Sequence, residues 1–375
     1  MTASEKNPVR LSWDQVLAWR LRRQYVEPLG DVDAAEIISR LCGVQAQVAS
    51  AAEFAVAVRQ QNPTPEAVGL GIADGSLVKT WAMRGTLHLF RSAEVGDYLS
   101  LLAAAQIWVK PAWQRVYGAT PKQMEALGEA VSQILDGQVL TRDELVRALV
   151  AEGHAEMEEQ LRSGWGSLLK PLAWTGVLCY GPSRGKAVTF TSPASLIPGW
   201  KPLPEPDDAA PVAIRGYLGA YGPSTPEVFD AWLSRNSHKK STLKRWFADL
   251  GDELTEVDIE GQRAYLFQEH LDELAMTSPT DAVRLLGAFD QYVLGPGTGD
   301  TVILPREHRS SVSRTAGWIS PIVVAGGRIV GVWDTDNGEV ALSLFGDARP
   351  PGARQLKAEM KRVAQLSGAK PARLA

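Results

Sequence analysis

Val177-Leu178-Cys179-Tyr180-Gly181-Pro182-Ser183-Arg184-Gly185-Lys186-Ala187-Val188-Thr189-Phe190-Thr191 carries an apolar run on each side of a turn-forming centre. Gly and Pro punctuate a chain where it reverses, so the stretch predicts a two-stranded hairpin turned at residues 181–186. Three helical segments precede it. Residues 122–135 have an amphipathic period, residues 143–151 open on Thr141 with Glu144 at capping-box spacing, and residues 158–176 supply the third. Helices followed by a hairpin make the outline of a winged helix.

The outline recurs on both sides. Upstream, residues 12–26 read as a helix capped by Ser12, with Trp13, Val16, Leu17 and Leu21 on one side. Helical segments at 33–42, 49–58 and 65–73 follow, and residues 77–91 read as strand material turned at Arg84-Gly85. A helical stretch over 94–113 leads into the central set. Downstream of a Pro-rich spacer at 193–211, helices at 213–221, 225–233 and 241–250 precede a strand pair at 254–259 and 263–268. From Arg284 the period changes to 2, with short strands at 302–304, 319–324, 328–333 and 340–344 and a basic helix at 349–367. The expected fold is α+β: tandem winged-helix units followed by a small C-terminal β-barrel or sheet. Its divisions fall at 10–92, 93–192, a linker at 193–211, 212–283 and 284–375.

Composition narrows the function. A net charge of -4 argues mildly against a nucleic-acid partner, but the charges are segregated. Residues 234–247 hold Arg235, Lys239, Lys240, Lys244 and Arg245 with no acid, whereas residues 249–260 hold six acids and no base. Such segregation predicts one basic face, as binding by counterion release from DNA requires; solvated helix faces are the alternative. The only cysteines, Cys42 and Cys179, lack CxxC spacing, so they read as small buried hydrophobes rather than a disulfide or a zinc site. Residues 1–10 lack the apolar core of a signal peptide and no stretch reaches about 18 apolar residues, so no membrane partner and a cytoplasmic address are expected.

Several chemistries lack support. The run Gly295-Pro296-Gly297-Thr298-Gly299 is not followed by the Gly-Lys-Ser/Thr of a phosphate loop, and Pro296 removes an amide such a loop would use. Five histidines include no pair at ligand spacing. No GxSxG elbow occurs, and Gly164-Trp165-Gly166-Ser167 falls on an expected helix. No metal, nucleotide or redox cofactor is therefore expected. What stands out is Gly43-Val44-Gln45-Ala46-Gln47-Val48-Ala49-Ser50, where two glutamines flank one small apolar residue between helices. In an extended segment both amides fall on one side, and two carbonyl oxygens there suit the holding of a water. Capping the next helix, or pairing with buried backbone groups, is the alternative role.

The runs Leu41-Cys42-Gly43-Val44-Gln45-Ala46-Gln47, Val78-Lys79-Thr80-Trp81-Ala82-Met83-Arg84-Gly85-Thr86-Leu87-His88 and Leu285-Leu286-Gly287-Ala288-Phe289-Asp290-Gln291-Tyr292-Val293-Leu294-Gly295 resemble, in order, the AlkZ-type DNA glycosylases. Glutamine at both positions of the short motif matches the azinomycin B self-resistance branch, since another branch has Gln and Asp. The resemblance implies a C-shaped molecule around a basic cleft that excises N7-alkylated purines, interstrand crosslinks included, from double-stranded DNA, and a monomer is expected. It implies Gln45 and Gln47 as the catalytic pair. Arg84 and His88 enter as possible DNA contacts, with hairpin packing as the alternative for both. A DNA-contacting β-hairpin is placed at residues 303–314, carrying Arg306, His308 and Arg309, and Lys239, Lys240 and Lys244 form a further basic patch.

Amides suffice for this chemistry. N7 alkylation already makes the purine cationic, so the leaving group needs no protonation, and the protein must supply a placed water and dipoles that tolerate an oxocarbenium ion. Because a crosslinked base does not rotate into an enclosed pocket, no deep aromatic cage is expected around Gln45 and Gln47. Lys79 reads as a strand-edge or phosphate-contacting residue rather than a covalent nucleophile. A winged-helix transcription factor without catalysis remains open. That reading expects an isolated recognition helix and a dimerisation element.

Overall fold

The computed structural model describes residues 8–336 and 338–370. Helices and three sheets give an α+β fold. The caps read from sequence form, and at Ser12 the structure adds a reciprocal bond from Gln15. Ser12 Oγ accepts from Gln15 N at 3.2 Å while Gln15 Oε1 accepts from Ser12 N at 3.0 Å, opening helix Trp13–Arg23. Thr141 and Glu144 do the same for helix Arg142–Ala151, at 3.3 and 2.7 Å.

The hairpins expected in separate units share one sheet. Strands Leu77–Trp81 and Leu87–Arg91 pair antiparallel, as do Cys179–Arg184 and Ala187–Thr191, and the two hairpins join where Lys79 opposes Tyr180. The six-stranded sheet runs Val44–Gln45, Leu87–Arg91, Leu77–Trp81, Cys179–Arg184, Ala187–Thr191, Leu140–Thr141. The first helix belongs elsewhere. Strand Val9–Leu11 pairs in parallel with Leu254–Ile259, itself antiparallel to Gln262–Phe267, and Val16 and Trp19 join the core beneath that sheet. Arg20 fastens this end, donating to Gly222 O and Pro223 O at 3.1 Å each.

Three expectations change. The helix expected over 158–176 breaks into Glu158–Arg162 and Leu169–Trp174, because Gly166 adopts φ +64 and a Cβ there would stand 2.3 Å from the Trp81 ring. The spacer at 193–211 is partly helical. Pro206 occupies the first turn of helix Pro206–Tyr221, where its missing N–H costs nothing, with Asp207 and Asp208 facing the positive helix end. Residues 302–304 form no strand and residues 303–314 no hairpin. Asp300 accepts from Val302 N at 2.9 Å and turns the chain into a 3₁₀ turn at Arg306–His308 and a helical turn at Arg309–Val312. The C-terminal region is an antiparallel sheet ordered Val283–Leu286, Ile322–Ala325, Arg328–Asp336, Glu339–Leu344. Helix Ala353–Ser367 covers it, burying Leu356, Met360 and Val363 against Val283, Leu285 and Trp333.

One ion pair joins this region to the glutamine segment. Arg59, just past helix Ala49–Ala57, donates from Nη1 and Nη2 to the two carboxylate oxygens of Asp290 at 2.8 and 2.7 Å, and both residues are fully buried. Asp290 also caps helix Gln291–Leu294 by accepting from Tyr292 N at 2.8 Å. Two glycines of the same run permit close approach: a Cβ on Gly287 would stand 2.6 Å from the Phe54 ring, and one on Gly295 2.2 Å from Tyr221. Removing one partner of a buried charge pair strands the other, at a cost of about 3–5 kcal/mol, whereas replacing both by apolar groups costs little. Asp290→Ala is therefore expected to lower the urea midpoint strongly, and Arg59→Met with Asp290→Leu to recover much of it. Equal midpoints for wild type and Asp290→Ala would refute this role.

Candidate active site

The first glutamine is placed by a forced turn. Helix Ala34–Arg40 ends into Cys42 at φ +54 and Gly43 at φ +92, and a Cβ on Gly43 would stand 2.7 Å from the Phe90 ring. The chain then pairs Val44 with Leu89 and Gln45 with His88, and Ala46 N donates to Leu87 O at 2.7 Å. Extended pairing alternates the side chains. Ala46 is buried, Gln47 is exposed, and Gln45 is 6% exposed.

Neither glutamine serves as a helix cap. Helix Ala49–Ala57 has Val48 at its N-cap and no side-chain capping bond. Gln47 Oε1 accepts weakly from Leu87 N at 3.5 Å. Both glutamines line one cleft of about 710 Å³. Val44–Gln45 is the edge strand of its sheet, with Gln45 buried against the cleft wall and Gln47 exposed just beyond the strand.

The other walls come from distant parts of the chain. Trp81, Arg84, Gly85, Thr86 and Leu87 contribute from one hairpin; Trp165, Ser167, Lys170 and Trp174 from the broken helix; Arg235 from the loop after helix Pro226–Ser234; Phe289, Leu294 and Trp318 from the C-terminal region. Among the described residues no Asp or Glu lines the cleft. Eight aromatic side chains do: Trp81, Trp113, Tyr117, Trp165, Trp174, Tyr180, Phe289 and Trp318. These rings line the same cleft as the two glutamines. The rings arrive with the broken helix, the helix Pro111–Tyr117 and the C-terminal loop, none of which lies near the motif in sequence.

The expected DNA contacts fare differently. Arg84 lines the cleft, yet its Nη1 is spent on Trp232 O and Leu294 O at 3.2 Å each, so it braces the wall. Burial and the nearby Arg235 push its pKa down to about 10, which leaves it charged at neutral pH. His88 is 0% exposed, and an exposed DNA contact through it is corrected. Its Nδ1 lies 3.0 Å from Thr86 O, and burial with the Arg84 charge pushes its pKa down to about 3, so the ring is neutral. Lys239, Lys240 and Lys244 are exposed at the start and along helix Lys240–Asp249 but do not line the cleft. Arg306 is exposed outside it. His308 stacks on Phe345 at 3.9 Å and pairs with Asp347 at 2.6 Å, while Arg309 donates to Thr298 O at 3.1 Å. Lys170 and Arg235 are the cleft cations that sequence reasoning did not assign; Arg235 lay in the basic run, whereas nothing local marks Lys170.

Comparison with known proteins decides the family. The DNA glycosylase AlkZ-like family matches residues 38–366. The interstrand DNA cross-link repair glycosylase of Streptomyces sahachiroi is 56% identical over 362 residues, 96% of this chain and 98% of that protein. The solved structure of Streptomyces sahachiroi DNA glycosylase AlkZ superposes with a TM-score of 0.95, covering 98% of this chain and 100% of that one. The chain belongs to the AlkZ-like DNA glycosylases. It is thus a DNA glycosylase, and a binding module without catalysis is set aside.

Two further groups of this AlkZ-like glycosylase bear on its chemistry. Lys79 is partly buried beside the Tyr180 ring at 5.5 Å, and burial lowers its pKa. It is absent from the cleft lining. Both cysteines are buried, their thiols pushed up to about 12, which suppresses the reactive thiolate. For His88, the folded ring takes its proton only near pH 3 while the unfolded one takes it near 6.5, so stability is lost as pH falls through that window. Imidazole NMR is expected to show no titration of His88 between pH 5 and 8. A titration near 6.5 would place the ring in water.

Proposed function

We propose that this glycosylase hydrolyses the N-glycosidic bond of N7-alkylated purines in double-stranded DNA, bulky azinomycin-type adducts and interstrand crosslinks included, using Gln45 and Gln47 to place the water. The observation that carries the reading is that two uncharged amides, free of capping duties, line a cleft to which no carboxylate contributes among the described residues. The relative from Streptomyces sahachiroi is named for interstrand cross-link repair, which supports the substrate class.

The chemistry needs little proton traffic. As the C1′–N9 bond breaks, its electron pair flows into the purine and cancels the N7 charge. A water whose hydrogens point at the two glutamine carbonyls adds to C1′, and its surplus proton leaves to bulk water through the open side of the cleft. The carbonyl dipoles face the developing positive sugar, so they orient the nucleophile and favour the transition state without acting as strong bases. Selectivity follows. A neutral purine, whose leaving group requires protonation, is a poor substrate for a site that works by placing a water.

In this reading each helix set with its hairpin is a winged-helix unit, and the units curve into a C around the duplex. In the same reading the enzyme acts as a monomer on cytoplasmic DNA. Lys239, Lys240 and Lys244, with Arg306 further off, serve as phosphate contacts at the flanks.

Gln45→Ala and Gln47→Ala are each expected to slow excision of N7-methylguanine by about a hundredfold or more, with DNA affinity and melting temperature nearly unchanged. Gln47→Asp retains activity, because geometry matters more than charge. A folded double alanine variant with undiminished excision would end the assignment. Affinity for duplex DNA is expected to fall about a thousandfold between about 50 and 200 mM salt if several phosphates are contacted. Flat affinity would remove the cleft from DNA binding.

A further inference from the structure

The cleft has an electrostatic imbalance that the glutamines do not explain. It is lined by Arg84, Lys170 and Arg235 and by no carboxylate. Among the described residues none of the three has a carboxylate oxygen within 4 Å, although the chain as a whole is acidic and its other arginines are widely paired. All three line the one cleft, and Arg235 lowers the pKa of both Arg84 and Lys170, alongside the effect of burial. Lys170 lies over the turn that carries Arg84, its Nζ 3.9 Å from where a Cβ on Gly85 would stand. Arg84 Nη2 is buried with no hydrogen-bond partner among the described residues.

Three uncompensated cations oppose the reaction as it stands. The substrate base is cationic, and C1′ gains positive charge as the bond breaks; like charges in a partly dry cleft raise the energy of both. The protein offers no anion there. The anions that DNA itself brings are its phosphates, and an ammonium beside a guanidinium is a donor set that fits one of them.

We propose that Lys170 and Arg235, above the buried charge of Arg84, hold one phosphodiester group of the DNA against the reaction centre, and that this phosphate is the counter-anion of the cationic transition state. The inference rests on the water-placing role given to Gln45 and Gln47. The phosphate forms no bond and takes no proton; the C1′–N9 electron pair still leaves with the purine and the water's proton still goes to solvent. Its single negative charge offsets part of the positive charge around it, and its non-bridging oxygens face the positive sugar. Alkylated DNA thus carries into the cleft the negative charge that a carboxylate supplies in other hydrolases.

The test uses the full chain and duplexes bearing one N7-methylguanine, with a single uncharged methylphosphonate at each phosphate flanking the lesion in turn. Single-turnover excision and affinity are measured for wild type and for Lys170→Gln with Arg235→Gln. Both positions are at least partly exposed, so the variant is expected to melt like wild type. At one position the methylphosphonate is expected to slow wild-type excision about tenfold or more, and the variant by less than about twofold, because the cations it would leave uncompensated are gone. The variant itself is expected to be about tenfold slower on the unmodified duplex. Wild-type rates insensitive to every substitution would overturn the proposal. So would an equal factor lost by wild type and variant, or a loss confined to affinity. Undiminished excision by Gln45→Ala refutes the water-placing role instead, and the phosphate comparison reads independently of that variant.

Discussion

The buried ion pair of Arg59 and Asp290 is the constraint around which the rest is arranged. It joins the end of the helix that follows the glutamine motif to the run at 285–295, more than two hundred residues away. Two desolvated charges tolerate few geometries, since a displaced partner leaves a bare charge in the interior. The pair therefore fixes the angle between the N-terminal helices and the C-terminal sheet. That run is a fastening device along its length. Gly287 lies against Phe54, Gly295 against Tyr221, Leu294 O accepts from Arg84, and Gly295 O accepts from Tyr217.

Fixing that angle assembles the cleft. Phe289, next to Asp290, and Trp318 close one side at a ring separation of 4.9 Å, while Arg84, bonded to Leu294 O and Trp232 O, ties the hairpin wall to both neighbours. Gln45 contributes from an edge strand of the six-stranded sheet and Gln47 from the bend just after it, while other strands of that sheet anchor Trp81 and Tyr180. The walls thus come from stretches far apart in the chain, and the site exists only once the long-range pairings are made.

The cleft also concentrates backbone strain. Arg84, Arg235, Phe289 and Ala316 all line it and all hold positive φ, between +57 and +60, a conformation that costs a residue with a Cβ roughly 1–2 kcal/mol. Such residues persist where packing over-determines them, and they aim side chains that regular structure would direct elsewhere. Here they aim two arginines and an aromatic ring at one space free of carboxylates. This suits a reaction whose leaving group arrives already charged: rigid walls and oriented dipoles serve it better than a strong base.

Local chemistry was enough to read much of the framework. The caps at Ser12 and Thr141, the hairpins at 77–91 and 177–191, and the strand pair at 254–268 follow from spacings within a few residues, so the sequence alone predicts them. The extended setting of Gln45 followed from the same logic, as did the family, from three short runs. Tertiary structure decided the rest, because it depends on neighbours remote in sequence. The break at Gly166 is imposed by the Trp81 ring, the turn at 300–312 by the Asp300 side chain, and the neutrality of His88 by complete burial beside Arg84. Lys170 and Arg235 enter the cleft only because helices from two regions converge on the glutamines. A side chain's type is written in the sequence; whether its charge is compensated is set by what the fold brings within a few ångströms of it.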